Sequence, residues 1–457
     1  MGKAEVLQFA LLLGLASLPL SALDQVYVRR GNPERQGRAW MERSEFGAPA
    51  REGGRLVVRL DFGSVRVHTG PAERVDCKLT LRSYSHDEEA SRRLLENYDL
   101  KVRQIESGGV YVTGQLQGEH QRSMSLGADL DVTVPQRYNL DVETQGGDLG
   151  LEDALQGEIR FTTAGGDIRT ADVSGAARLE TAGGNVSLGN MGQAVDARTA
   201  GGNIHVGEVK GAATLETSGG EISIGQVGGA LRAETAGGDV VIAGADGQVV
   251  AQTAGGQIQV GPTAGGLRAQ TAGGSIRCTG ARGRVVVETA GGSIDLYQIE
   301  GAVRASTAAG RILAEILANK KTFGASQLES SMGDVFVFIP PDLPVSIDAA
   351  IDAAAGHHII SDFPLKVTGD SEQFTSGSIS GRGPVNGGGE LLRLRTVSGN
   401  IEIRKLDAQA IEQLKARQDE FSKRWQQRQA EKEQHRKERE QRRRERQQGQ
   451  DQDSDEE

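Results

Sequence analysis

The sequence predicts an all-β chain: a single-stranded parallel β-solenoid (β-helix) with 18-residue two-strand coils, plus a C-terminal charged α-helix or disordered tail. Three observations predict it. Nine threonines stand 18 residues apart from Thr163 to Thr307 without one insertion, each opening a version of T-A-G-G-x-I/V; a period held this long marks stacked units that pack only on their neighbours. Five places after each threonine stands Ile or Val in every copy, a β-branched column suited to a pleated, buried surface. The glycine three places on never varies, and glycine recurs too densely for any helix longer than two turns.

The remaining columns supply the elements. A polar sixth position and an apolar seventh, as in Leu188, Val206, Ile224 and Ile242, complete the period-2 alternation of a strand with one buried face; Ile258 should therefore face the core and Gln259 the solvent. Pairs at 14 and 16 places, such as Ala213 with Leu215 or Val285 with Val287, make a second strand leading into the next threonine. The glycines after each threonine and a second column (Gly175, Gly211, Gly229, Gly247) mark two corners, where the backbone needs positive φ or close approach. Two strands and two corners leave no room for a crossover helix, so equivalent strands stack in register at about 4.8 Å per coil. Aromatics are 4% of the chain, so the interior should be narrow and dry.

Residues 1–23, with Lys3, an apolar run from Leu7 to Leu20 and then Ser21-Ala22, read as a signal peptide, the run being short for a membrane span. This points to an exported chain, periplasmic, cell-envelope or extracellular, with a retained amphipathic anchor as the alternative. Residues 24–54 are polar and read as a mobile lead-in. Residues 55–160 form irregular N-terminal coils, with Ser85-x-x-Glu88 as a capping box opening a short helix through Tyr98. Residues 161–318 are the regular repeats. Residues 319–405 are C-terminal coils: Ser330 resumes the pattern after a break, Phe336, Phe338 and Phe363 suggest a wider closing region, and Thr396 to Ile403 read as the last coil. Residues 406–457 change character. Leu406, Ile411, Leu414, Phe421 and Trp425 give a thin apolar stripe, too short for a long coiled coil, expected to dock on the last coil as a cap. Residues 423–446 hold eleven Lys/Arg against five Glu, and the acidic tail from Asp451 follows.

The coils ending in G-x-I-x-V, the strand closing on Pro340, the stretch Gly383-Pro384-Val385-Asn386-Gly387-Gly388-Gly389, and the run from Leu394 to Ile403 together resemble the bacterial putative-adhesin family, a β-solenoid domain of unknown function. The resemblance covers about residues 55 to 405. It implies an envelope or secreted solenoid and brings no catalytic residues to carry over.

No position reads as a catalytic, cofactor-binding or metal site, and no cofactor is expected. The column Asp167, Asn185, Asn203, Glu221, Asp239 could form an oxygen ladder for Ca²⁺, but it turns to Gln257, Ser275 and Arg311 and reads as a polar, turn-flanking ladder. Glu180, Glu216, Glu234 and Glu288, broken by Arg198, read as an outward strand face. His205 and His357-His358 read as surface residues, and Cys77 and Cys278 as small buried hydrophobes. The basic segment reads as a solvated helix or a disordered arm, with contact to nucleic acid or an anionic membrane as its alternative, and no specific nucleic-acid binding is expected. The reading is a non-enzymatic exported envelope protein, adhesin-like or a scaffold, whose partner is a protein or glycan at the envelope; its oligomeric state is left open. The alternative is a polysaccharide-active β-helix lyase or hydrolase. Such enzymes need long loops that build a cleft with clustered carboxylates and aromatic platforms, whereas eight consecutive coils here carry no insertion and one aromatic, Tyr297.

Overall fold

A computed structural model describes residues 25–416 and 423, apart from 38, 71–72, 86, 106–107, 119–125, 355 and 370–376. The stretch read as a signal peptide and, apart from Lys423, the basic and acidic tail lie outside the described residues, as do Phe421 and Trp425.

The chain is a β-solenoid of two long sheets. One gathers the short strands five to seven places after each threonine, and the other gathers the strands that end in the threonines. Within the regular coils the pairing is parallel and in register up to a bulge between Leu296 and Ile299, so Ile168 faces Val186, Val186 faces Ile204, and Thr181 faces Thr199. Side chains alternate as expected: Ile258 is 1% exposed, and Gln259 beside it is half-buried. A third wall was not read from the sequence. Leu155, Val173, Met191, Val209 and Val227 form single-residue parallel bridges from coil to coil, and a second series runs from Ala245 to Ile299. These buried residues close the cross-section on its third side.

The repeating threonine lies inside, 3% to 8% exposed in the regular coils, and its hydroxyl is used twice. Thr217 Oγ1 donates to the Gly202 carbonyl of the preceding coil at 2.8 Å and accepts from the Gly220 amide of its own coil at 3.3 Å. The same donation recurs from Thr144 to Thr396, with Ser330 taking the role where the period breaks. The invariant glycine explains why the coils can come so close. In the regular coils, Gly166 to Gly310, none has a φ in the left-handed region; a Cβ would instead meet the carbonyl oxygen of the glycine one coil earlier at 1.9 to 2.2 Å. Close approach rather than positive φ is the reason for that column. Its neighbour is looser: a Cβ on Gly255 would meet the Gly237 oxygen at 3.4 Å, one on Gly256 the Gly238 oxygen at 2.0 Å.

Both ends depart from sequence order. At the N-terminal end the coil Arg55–Leu60 and Ser64–Gly70 sits between the coil of Gly109–Leu116 and Leu126–Pro135 and the coil of Asn139–Thr144 and Leu149–Leu151. Antiparallel strands then finish both sheets there: Ala39–Pro49 and Arg74–Ser83 on one, Tyr98–Ile105 on the other. At the C-terminal end Glu390–Ser398 and Ile401–Lys405 lie between Ser326–Ile339 and the strands Val345–Ile351 and Ile359–Ser361. The coil that is last in sequence is therefore not last in the stack.

Several expectations are corrected. Part of the supposed lead-in is built in: Ala39–Pro49 pairs along its length with Arg74–Ser83, and Phe46 and Ala48 are fully buried, because an open sheet edge needs a covering strand. The short helix is Glu88–Glu96, and its cap is Asp87, which accepts from the Glu89 amide, while Ser85 accepts from the Asp87 amide one step earlier. Phe336 and Phe338 do not widen the interior; Val335, Val337 and Ile339 point in, and the two phenylalanines point out. They form a platform with Tyr297 and Leu313 on which the helix at 408–416 packs through Leu414 and Ile411, joined by Leu406. That helix, capped by Asp407 on the Ala410 amide, lies against the outer face of the first sheet rather than over the last coil. Glu315 is buried (4% exposed) on the strand Ile312–Ile316 of the same sheet. Burial raises its carboxyl above the usual range, opposed by a backbone hydrogen bond at Gln298 and the charge of Lys415.

Three tests follow from these contacts. Thr217→Val should lose about 1–3 kcal/mol, since it strands a buried carbonyl and a buried amide, while Thr170→Val, whose buried hydroxyl has no hydrogen-bond partner among the described residues, should hold or gain stability; chemical denaturation of the two variants reads the opposite signs. Gly256→Ala should cost about 3 kcal/mol and open its coil to protease, whereas Gly255→Ala should melt close to the parent. For Glu315, a carboxyl raised on folding contributes fully below its unfolded value of about 4.3 and loses that contribution as pH rises through the folded value. Glu315→Gln should accordingly raise the melting temperature at neutral pH and change it little in acid, as scanning calorimetry would record.

Candidate interaction face

Period-2 alternation in the threonine-ending strands sends two columns outward, one residue and three residues before each threonine. The inner of the two is the stripe read from the sequence, with Glu180, Arg198, Glu216, Glu234 and Glu288. The outer one, with Arg160, Arg178, Arg232, Arg268 and Arg304, all exposed, went unread. Reading the 18-residue alignment down that column as well would have found it.

The charges on this face pair with one another. Arg232 Nη2 is 2.7 Å from Glu234 Oε1, two residues along the same strand. Arg198 reaches Asp196 at 3.0 Å and Glu216 at 3.7 Å, and the hydrogen bond with Asp196 leads the causes that raise its pKa. Where charge lapses, amides continue the ladder: Gln252 donates to Gln270 and Gln270 to Glu288, each at 3.0 Å. At the flanks, Arg59 binds Asp141 (2.8 Å) and Glu143 (3.1 Å), and Asp348 gathers Arg382, Arg393 and Arg395. Burial works against ionisation of Asp348, and the hydrogen bonds from Arg382 and Arg395 outweigh it, holding its carboxyl below the ordinary range.

A shallow groove of about 940 Å³ runs beside these columns. One wall is the glutamates Glu180, Glu216 and Glu234, and the other is the methyls of Ala182, Ala200 and Ala236. It exists because the T-A-G-G turn carries only alanine, or serine at Ser218, next to a row of long side chains. No aromatic and no histidine lines it.

The other residues singled out in the sequence take structural places. In the column from Asp167, oxygens accept backbone amides one coil on: Asp167 from Asn185 at 2.8 Å, Asn185 from Asn203 at 2.9 Å, Asp239 from Gln257 at 2.8 Å. Among the described residues no group of three or more His, Cys, Asp or Glu could hold a metal ion. His205 is exposed, and His357 Nε2 lies 3.1 Å from Ser398 Oγ. Cys77 and Cys278 are free and buried, and burial pushes the Cys278 thiol up to about 12.

Residues 55–261 match the profile of the Toastrack DUF4097 family; the motifs at Pro340 and 383–403 that carried part of the resemblance lie beyond the match. Among solved structures, a putative adhesin from Bacteroides fragilis aligns at 11% identity and a TM-score of 0.26, over 57% of this chain and 95% of that one. A putative cell adhesion protein from Clostridium sporogenes aligns at 9% identity and a TM-score of 0.16, over 83% of this chain and 100% of that one. No curated protein matches. The ladder of buried threonines and close-packed glycines, with two sheets built from 18-residue coils, is that of a β-solenoid, and its residues 55–261 are similar to the Toastrack DUF4097 family.

Proposed function

We propose that the chain is a non-enzymatic interaction module, exported to the cell envelope, that makes its contacts through the long sides of the solenoid. One observation carries this reading. The outward side chains pair with one another along strands and between neighbouring coils without an intervening loop, so charge is spread along a flat surface rather than gathered in a cleft. Catalysis at a glycosidic bond needs two carboxylates placed about the bond, one of them with a raised pKa; the glutamates of the groove are spaced along the stack and shared with arginines and glutamines. The leader-like residues 1–23 supply the export half of the proposal, and the basic segment at 423–446 supplies a contact with anionic lipid or glycan.

The experiment is sedimentation of the purified chain with isolated envelope fractions, scored in parallel for newly released reducing ends. Expected are salt-sensitive co-sedimentation, weaker by about tenfold for a chain from which residues 423–446 are deleted, since loss of six net positive charges removes much of a surface attraction, and no saccharide release. Release of reducing ends that disappears in Glu180→Gln, Glu216→Gln or Glu234→Gln would replace this reading with the hydrolase alternative.

A further inference from the structure

The two outward columns on the threonine-ending sheet are complementary to each other, level by level. From the coil of Thr163 to that of Ser330, the outer column carries five arginines and one acid, Asp196, while the inner one carries five glutamates and one base, Arg198. The single reversal falls in one coil, so the two columns have opposite sign at every level where both are charged: Arg178 with Glu180, Asp196 with Arg198, Arg232 with Glu234. A two-fold axis lying in the face and parallel to the stack exchanges the columns, setting each outer residue against the inner residue of the same coil in a second copy. No level then opposes like charges.

We propose that this face is a homodimer interface, two copies packing face to face with their stacks parallel and in register. The proposal rests on the reading of the chain as an interaction module and names one partner for it. The reversed coil is the register key: a slip of one coil either way sets Asp196 against the partner's Glu180 or the partner's Glu216, which costs attraction and adds repulsion. A slip would also turn the two-fold into a screw operation that never closes. The coils just beyond this span carry like charges on both columns, and each is partly offset within its own chain, Asp141 and Glu143 by Arg59, Arg393 and Arg395 by Asp348. Size also fits. Ten coils at about 4.8 Å and five strand residues at about 3.3 Å give roughly 800 Å² per copy, the usual share of a stable interface, and side-chain ladders keep such sheets flat enough to meet.

Sedimentation velocity of the purified full chain, with no envelope present, tests this separately from envelope binding, so either reading can fail while the other stands. The expected result is a dimer in the micromolar range that weakens with salt. The double variant Arg178→Glu with Arg232→Glu should raise the dissociation constant at least about tenfold. Adding Glu180→Arg and Glu234→Arg, which reverses both columns together, should recover it to within about threefold. Arg169→Glu, on the other sheet, should change nothing, and melting temperatures should show all variants folded, since every altered side chain points outward. A monomer at all concentrations, a dimer indifferent to the double variant, or one that the fourfold variant fails to restore would overturn the proposal.

Discussion

Everything in this structure depends on one contact repeated along its length: a buried threonine hydroxyl donating to a glycine carbonyl one coil behind, over a glycine whose hydrogen faces that same oxygen. Backbones at this distance leave no room for a β-carbon, and polar groups enclosed there need partners. Threonine satisfies both demands, because its hydroxyl serves two coils while its methyl group completes a buried column. The alanine-glycine turn, the thin interior and the flat outer faces follow from that spacing.

Much of this was legible in the sequence, because a column of β-branched residues and an invariant glycine report a local environment repeated nine times. The inward place of Ile258 and the buried state of Cys278 could be read from alternation alone. What could not be read has a physical reason in each case. Val173, Met191 and Val209 pair through the backbone only with their equivalents, as single bridges with no strand around them, so they leave no period-2 signature. Phe336 and Phe338 looked like core residues because size alone does not show which side of a strand is covered, and the helix that covers them follows some 70 residues later in the chain. The charged face was half read: the glutamate stripe drew notice as acid among neutral neighbours, while the arginines beside it resembled ordinary surface.

The two ends and the middle are held by different means. In the middle, each coil leans on neighbours 18 residues away, and stability is a sum of nearly equal local terms. At the N-terminal end both sheets are finished by antiparallel strands, where Tyr138 and Tyr98 add bulk that the alanine-rich coils lack, and at the C-terminal end Ile379–Val385 finishes one sheet in the same way while the other stops at the short parallel strand Ile359–Ser361. Such strands leave no long parallel edge open for another chain to extend. Association by the flat side is then the geometry that remains compatible with closed ends.

The threading of those ends bears on how the chain comes to be folded. The coil at Glu390–Lys405 slots between two segments made before it, and the coil at Arg55–Gly70 is bounded on one side by residues made more than 40 positions later. Synthesis order and stacking order therefore disagree at both termini, while they coincide in between. The central array can wind up as it is delivered, one coil upon the last, but neither terminus can close until a late segment arrives and is admitted into a gap held open for it. Closure of the ends, with its long loops, should be the slow event in assembly, and until it occurs the chain exposes the very edges that its finished form conceals.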